Sequence, residues 1–513
     1  MGEKVDDVVN KMVYEIDKFI EIEQKYELAH KQIYDTYYWV YQRGYIVQYA
    51  MRDTLMSQTQ REKNDISRSG NSNGKKMEAH WGKCRAAIRL LTKATKKYMN
   101  SGRRMKKTEI CFVGVLRKIK VDSLYIDPYI SEIQKCFPES MILNDFEKIL
   151  DYHPREEYIN EHDISYINEW VTFSIKLNQQ VKTRLYARTL SEVRNQMSEA
   201  LGEMQREYEL QFDEAKIYER IANLCIGNRV ALKLYQRLFR KMKPKVIVLG
   251  MDTRFTRNII EVANRLGIPT VMLQNYAYNR VQIMPMADDA TWAPFLPTKY
   301  FLFSDYWKRF IRLPIPDENI VGVGYPYHDS MMKKYQKRKS DKQKKTIILL
   351  SQPVIGKTLS ELAIELRQAL CDDKYHIIYR YHPNETEWYK GEQGYPELES
   401  YDIEVSTFQD TNLFDLFSRC DIQVGVHSNG ILEGLGFNLK TYIYRIHDYK
   451  RMQDLVDVKC AEFIKDCQEL AEKIETEENI QEKMDFASVI YRPDGLKNMK
   501  SELDKMLATS TSR

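Results

Sequence analysis

Long apolar runs are missing from this chain: none of its segments approaches the roughly 20 residues needed to cross a bilayer. The opening Met1-Gly-Glu-Lys-Val-Asp-Asp lacks the basic-then-apolar layout of a secretory signal, and Asp6 stands where a myristoylation signal needs Ser or Thr. A cytoplasmic protein is therefore expected. Paired cysteines are missing too. The eight cysteines (84, 111, 136, 225, 371, 420, 460 and 467) are scattered with no Cys-x-x-Cys, which excludes a zinc ribbon or a thioredoxin-like redox site. Gly356-Lys357-Thr358 lacks the upstream glycine of a P-loop, so ATP hydrolysis is not indicated. No Asp-x-Asp stands at an expected strand end to hold a divalent cation, and no nucleic-acid module is recognisable. Neither a metal nor a cofactor is expected, and nucleic acid is not expected as a partner.

What is present can build several cores. The 513 residues, 43% hydrophobic and 29% charged, allow two to four domains. Net charge is only +5 but unevenly spread. The first thirty residues lean acidic, whereas the stretch from Arg61 to Lys107 is strongly basic, with Arg68, Lys75, Lys83, Arg89, Lys96 and Arg103 among its cations. Such a block serves either as a solvated helix face with a loose loop or as a contact for nucleic acid, an anionic membrane surface or an anionic substrate.

Periodicity organises the rest. Residues up to about 60 read as helices, 67–74 as a loop, and 77–99 as a basic helix. Glu109–Val115 and Ser140–Leu143 read as strands, with the Leu124–Pro128 segment as a loop between them and a helix at 129–136. Long charged helices then fill about 165–242. Lys245–Gly250, a helix at 256–266 closed by Gly267, and Thr270–Gln274 form a compact βαβ unit, continued by strands at 301–304 and 320–324. A charged linker spans 333–345. Beyond it, strands are expected at 346–351, 376–379, 403–405, 422–426 and 441–444, with helices at 359–371, 411–419 and 430–436 and a helical tail from 460. The fold class is α/β, with two facing Rossmann-like domains. The expected divisions are a helical basic region (1–107), a first Rossmann-like domain with a helical insertion (108–332), a second (346–459) and C-terminal helices (460–513).

Two strand ends in the second domain carry the chemistry. One strand runs into Tyr379-Arg380-Tyr381-His382-Pro383, the other into Gly425-Val-His427-Ser428-Asn429-Gly430. Carboxyl ends of parallel strands are where open α/β sheets bind ligands. An imidazole at His382 can donate to phosphate; alternatively Pro383 simply ends the strand and leaves His382 at the surface. Ser428, Asn429 and Gly430 precede a helix and suit either phosphate contact or ordinary N-capping. Gln352, Gly356 and Lys357 form a loop opening the next helix, suited to phosphate or base contact.

These blocks, with Lys243-Pro-Lys-Val, Gly267–Gln274 and Asn319–Pro326 upstream, resemble GT-B fold glycosyltransferases of bacterial and archaeal capsule or surface-polysaccharide biosynthesis. The resemblance covers about residues 243–450. The His-Pro turn is similar to that of CMP-sugar and CDP-glycerol transferases. It implies that His382 and Arg380, with the 427–430 turn, hold the donor phosphate, and that Glu433 accepts from ribose hydroxyls. Glu433 equally suits a capping box. This family often has two serines where this chain reads Ser428-Asn429, which leaves the donor nucleotide open. The resemblance further implies a metal-independent, inverting transfer from a nucleotide-sugar to a glycan or lipid-linked acceptor, with peripheral docking at the inner membrane face as one use of the basic segment. The general base is less legible. Related chains carry His-Gly after Gln274, where this one has Asn275-Tyr276. Asp252, at a strand end, is the best-placed carboxylate, with Asp127 behind it; each also suits helix capping or a turn. Two rival readings stay open: an enzyme like UDP-GlcNAc 2-epimerase, and a non-catalytic, degenerate transferase acting as a scaffold.

Overall fold

A computed structural model describes residues 18–46, 76–114, 119–121, 124–144, 163–180, 183–207, 212–279, 290–335, 344–353, 355–385, 397–446, 448–476 and 486–510, with a few single positions between them. The expected loop at 67–74 and most of the linker at 333–345 lie outside the described residues. The strands of the first part are β1 (Ile110–Val113), β2 (Ile119–Val121), β3 (Leu124–Ile126), β4 (Met141–Leu143), β5 (Asp163–Ile164), β6 (Val246–Leu249), β7 (Thr270–Leu273), β8 (Lys299–Leu302) and β9 (Ile320–Gly322). All but two form a seven-stranded sheet in the order β5-β4-β1-β6-β7-β8-β9, parallel throughout. Strands β2 and β3 pair separately as an antiparallel hairpin. The strands are short, continuous apolar runs because helices cover both faces of the sheet.

The second part contributes β10 (Lys345–Leu350), β11 (Tyr375–Arg380), β12 (Glu404–Ser406), β13 (Ile422–Gly425), β14 (Lys440–Tyr444) and β15 (Glu462–Ile464). They form a six-stranded sheet, β12-β11-β10-β13-β14-β15, again parallel throughout. The molecule thus carries two doubly wound α/β units of the two-domain type expected. β15 corrects the expectation of a purely helical tail. Its Glu462-Phe-Ile is too short and too flanked by charge to signal a strand, and it is held by pairing with β14.

Three helices occupy the stretch between β5 and β6: Ile167–Gln180, Arg184–Glu207 and Glu214–Met242. The third is capped by Asp213, whose side chain accepts from Ala215 N. With the helical residues 18–25 and 38–46 they enclose a satellite core of Phe19, Trp39, Val193, Met197 and Ile221. The Arg254–Arg265 helix begins with a capping box between Thr253 and Thr256. Gly267, at φ +68°, closes its C-terminal end in the left-handed region.

The last helix, Gly495–Ser510, returns to the first sheet. Its Met499, Leu503 and Met506 pack with Ile110, Phe112, Val246 and Val248. The crossing is tight: Gly324, at φ +102°, has the backbone of Arg492 and Gly495 where a Cβ would project. Arg492 donates to the Gly322 carbonyl at 2.7 Å, and Gly495 N donates to Asp329 at 2.7 Å. Because Leu503 is fully buried beneath this helix, Leu503→Ala should cost about 2–5 kcal/mol. The check is the urea midpoint, which should fall while the far-UV spectrum at zero denaturant stays unchanged.

Candidate functional site

Strand order reverses between β10 and β13 in the second sheet, and ligands in open α/β sheets bind at the carboxyl side of such a switch point. Leu349 lies opposite Val424, and Gln352 and His427 follow in the loops that leave the carboxyl ends of these adjacent strands. Gln352 is half-buried, and its Oε1 is enclosed with no hydrogen-bond partner among the described residues. His427 and Ser428 are half-buried and Asn429 is exposed. Ser428 Oγ accepts from Gly430 N at 3.2 Å, as an N-cap does. Asn429 Oδ1 accepts from Ala277 N at 3.2 Å, and Ala277 belongs to the loop after β7. The carboxyl edges of the two sheets therefore meet, and this bond joins them.

The opposing loop is built rigidly. Gln274, buried at the end of β7, donates from Nε2 to the Tyr276 carbonyl (3.0 Å) and accepts at Oε1 from Phe303 N (2.9 Å). Tyr129 OH donates to the Asn275 carbonyl at 2.7 Å.

The His-Pro turn follows β11, next to β10. His382 and Pro383 are half-buried. The turn is pinned by a residue not singled out from sequence, Glu385, which is wholly buried. Its carboxylate accepts from His382 N at 2.8 Å, from Ser351 Oγ at 3.1 Å and from Tyr395 OH at 3.4 Å. Burial raises the Glu385 carboxyl above the usual range. Tyr379 OH donates to the Gly356 carbonyl at 2.7 Å. A Cβ on Gly356 would overlap the Glu385 carboxylate and the Tyr395 hydroxyl, so this glycine serves close packing beneath the turn. Lys357 is exposed beside it. The Arg380 side chain is turned to the neighbouring strand. It donates to Ser406 Oγ at 2.7 Å and to the Thr407 carbonyl, and burial lowers it to about 10. Those partners place it at the β11–β12 edge.

Glu433 lies in the Asn429–Leu435 helix, half-buried in the region where the two parts meet. Burial raises its carboxyl to about 7. Its charge in turn helps to hold the Tyr325, Tyr327 and Tyr491 hydroxyls high, after burial as the main cause. His328 hydrogen-bonds to the Glu433 backbone, and burial lowers it to about 3, which keeps it neutral. Its ring stacks on Tyr491 at 4.0 Å. Tyr325, Tyr327 and His328 come from the Gly324-Tyr-Pro-Tyr-His run, whereas Tyr491 arrives from the tail; no local pattern ties it to this place.

The two carboxylates considered as general base are both engaged. Asp252 receives two hydrogen bonds from Arg257, from Nε (3.2 Å) and Nη2 (3.1 Å), and Arg257 also donates to the Val40 carbonyl. Asp127 Oδ1 accepts from Tyr129 N (3.0 Å) and Ile130 N (3.2 Å), the arrangement of a turn. Among the described residues no group of His, Cys, Asp and Glu is arranged to hold a metal ion, and no helix is long and apolar enough to cross a membrane.

No protein-family model matches the chain, and no curated protein matches it in sequence. Solved structures similar to it include UDP-GlcNAc 2-epimerase from Methanocaldococcus jannaschii, at 12% identity and TM-score 0.47, covering 77% of this chain and 99% of that one. The Neisseria meningitidis UDP-GlcNAc 2-epimerase bound to UDP-GlcNAc is 12% identical with TM-score 0.45, covering 79% and 100%. The wall teichoic acid polymerase TagF is 10% identical with TM-score 0.44, covering 85% and 100%. Likenesses this distant say nothing about activity.

The raised carboxyl at Glu433 sets a pH dependence. Between about pH 4.5 and 7 the native protein holds a proton that the unfolded chain has released. Its stabilising contribution is therefore complete below that window and lost as pH rises through it, by roughly 3 kcal/mol. Glu433→Gln should flatten this part of the curve, as read from urea midpoints at successive pH values. The slope of the same sign from Glu385 should remain.

Proposed function

We propose that the chain is a glycosyltransferase of surface-polysaccharide assembly, moving a sugar from a nucleotide-sugar to a glycan or lipid-linked acceptor. The observation that carries this reading is the meeting of two carboxyl edges of parallel sheets, joined by the Asn429–Ala277 hydrogen bond. One edge offers a donor site and the other an acceptor approach. In this reading the donor phosphate lies against His382 and the 427–430 turn, with Gln352 and Lys357 at its margin. The Glu385 carboxylate orients the His382 backbone, so the imidazole donates to phosphate oxygen as the leaving group departs. Sugar transfer breaks the bond from the anomeric carbon to donor phosphate and forms one to the acceptor oxygen, which gives up its proton. Asp252, held by Arg257, serves better to fix the end of β6 than to take that proton. Glu433, with a carboxyl near 7, is suited either to the ribose hydroxyls or to the proton.

Calorimetric titration with UDP, CDP, CMP and GDP tests the site and the donor class together. At least one should bind, and His382→Ala should weaken it about 10- to 100-fold, the loss of one hydrogen bond to a charged group. Failure of all four to bind would sink the proposal. Conversion of a bound UDP-sugar to its epimer, with no transfer to acceptor, would assign the chain to the epimerase alternative. Glu433→Gln separates the two roles of that residue: weaker nucleotide binding assigns it to ribose, and lost turnover at unchanged affinity assigns it to proton transfer.

A further inference from the structure

Large apolar side chains exposed on this molecule are not scattered. Of the seven among the described residues, Ile88, Leu91, Tyr98 and Met99 lie on the helix Lys76–Arg104 and Leu177 on the helix Ile167–Gln180. A single exposed leucine needs no explanation, but a shared face does. The two helices pack side by side. Lys93 and Lys97 pair with Glu169, and Ser165 N donates to Ser101 Oγ at 3.1 Å. Lys97 thus meets Glu169 while Ser101, further along, meets the earlier Ser165, so the helices run antiparallel. The apolar row of the first helix is rotated about 120° from its buried line of Ala94 and Ser101. Trp170, Phe173 and Leu177 form a row on the second, rotated about 70° from Glu169. Both rotations have the same sense seen from each helix's own N-terminus. Between antiparallel neighbours that brings the two rows to one side. Tyr98 accordingly meets Tyr166, one turn before Trp170, edge-on at 5.3 Å. Val171 and Ile175 face the other way, closing on Gly227, where a Cβ would stand 3.0 Å from each.

We infer that this two-helix face pairs with the same face of a second copy of the chain, forming a four-helix bundle about a twofold axis. The spacing makes a helix the fitting occupant. Ile88, Leu91, Thr95, Tyr98 and Gly102 alternate steps of three and four, and in the sequence the alternation runs back through Cys84, Trp81 and Met77. That is the seam on which one helix packs its side chains into another. A second copy suits it because the face is itself a pair of antiparallel helices. A twofold rotation lays each helix on the other helix of the partner, a closed and self-complementary contact. Charge does not oppose this. Arg89, Lys96 and Arg103 are exposed on the side of their helix turned away from Ile167–Gln180. The two basic margins therefore stand at opposite edges of the bundle, further apart than the screening length of about 8 Å at physiological salt. Helices of 29 and 14 residues offer about 600 Å² per protomer, at roughly 1.5 Å rise and 10 Å width. Two such faces bury about 1,200 Å², the lower end for a stable interface, so the dimer has a micromolar Kd. The pairing holds whichever reaction the cleft performs.

The test is sedimentation equilibrium of the full chain from about 1 to 100 µM. The mass should rise from one chain to two across that range, and the melting midpoint should rise with it. Ile88→Ser, Leu91→Ser and Leu177→Ser together should weaken association at least about 100-fold. Because all three residues are exposed, this variant should melt with the parent at about 1 µM, where both are monomers. If its midpoint falls there, Leu91→Ser alone replaces it and should weaken association about tenfold. Arg89→Gln with Lys96→Gln, at the margin, should change association by less than about threefold. A parent chain that stays monomeric up to about 100 µM overturns the inference, since the face would then belong to another occupant. So does a triple variant that pairs as well as the parent, because the contact would lie elsewhere. Masses that climb past two chains overturn the closed twofold pairing.

Discussion

A seam of aromatic rings runs along the junction of the two parts, and the meeting of their carboxyl edges depends on it. Phe303 stacks on Tyr325 at 4.7 Å, Tyr129 stacks on Tyr325 at 5.3 Å, His328 stacks on Tyr491 at 4.0 Å, and Tyr327 meets Phe414 edge-on at 5.5 Å. These rings come from the loops of the first sheet, from the returning tail and from the second domain. Each pair adds about 0.5–1.5 kcal/mol beyond its burial. Their larger effect is geometric, because packed rings fix the separation of the two carboxyl edges. Gly436 shows how closely they are set: a Cβ there would overlap the His328 ring.

The seam also decides the electrostatics of this junction. It places Glu433 against phenol rings and beside a neutral imidazole, so its carboxyl is raised by burial. Glu385 is raised for the same reason, but it meets three donors and becomes the anchor of the His-Pro turn. Asp252 meets a guanidinium instead. Three carboxylates near strand ends thus take three different roles, set by what packs against each one.

Much of the fold was legible because buried parallel strands are continuous apolar runs. Val246–Leu249, Lys345–Leu350 and Ile422–Gly425 stand out for this reason. β15 did not, since an edge strand of three residues needs little apolar character once β14 is there to pair with it. The site was legible in part. The strand ends bearing His382 and Ser428 could be read, and register shows that Gln352 and His427 follow adjacent strands. Arg380 could not be placed, because alternation along β11 and the presence of Ser406 on its neighbour decide which way it turns. Glu385 was missed because its partners Ser351 and Tyr395 are distant in sequence.

The sequence by itself determined the α/β class, the positions of most strands and the two turns that end β11 and β13, all of which follow from local periodicity and turn chemistry. Only the tertiary structure decided the neighbours of each charged group. It paired Asp252 with Arg257, set the half-buried Glu433 near Tyr325, Tyr327 and Tyr491, and carried Tyr491 back to stack on His328. The physical reason is that a carboxyl's proton affinity depends on burial and on nearby donors. Those neighbours arrive from distant parts of the chain, and no local pattern records them.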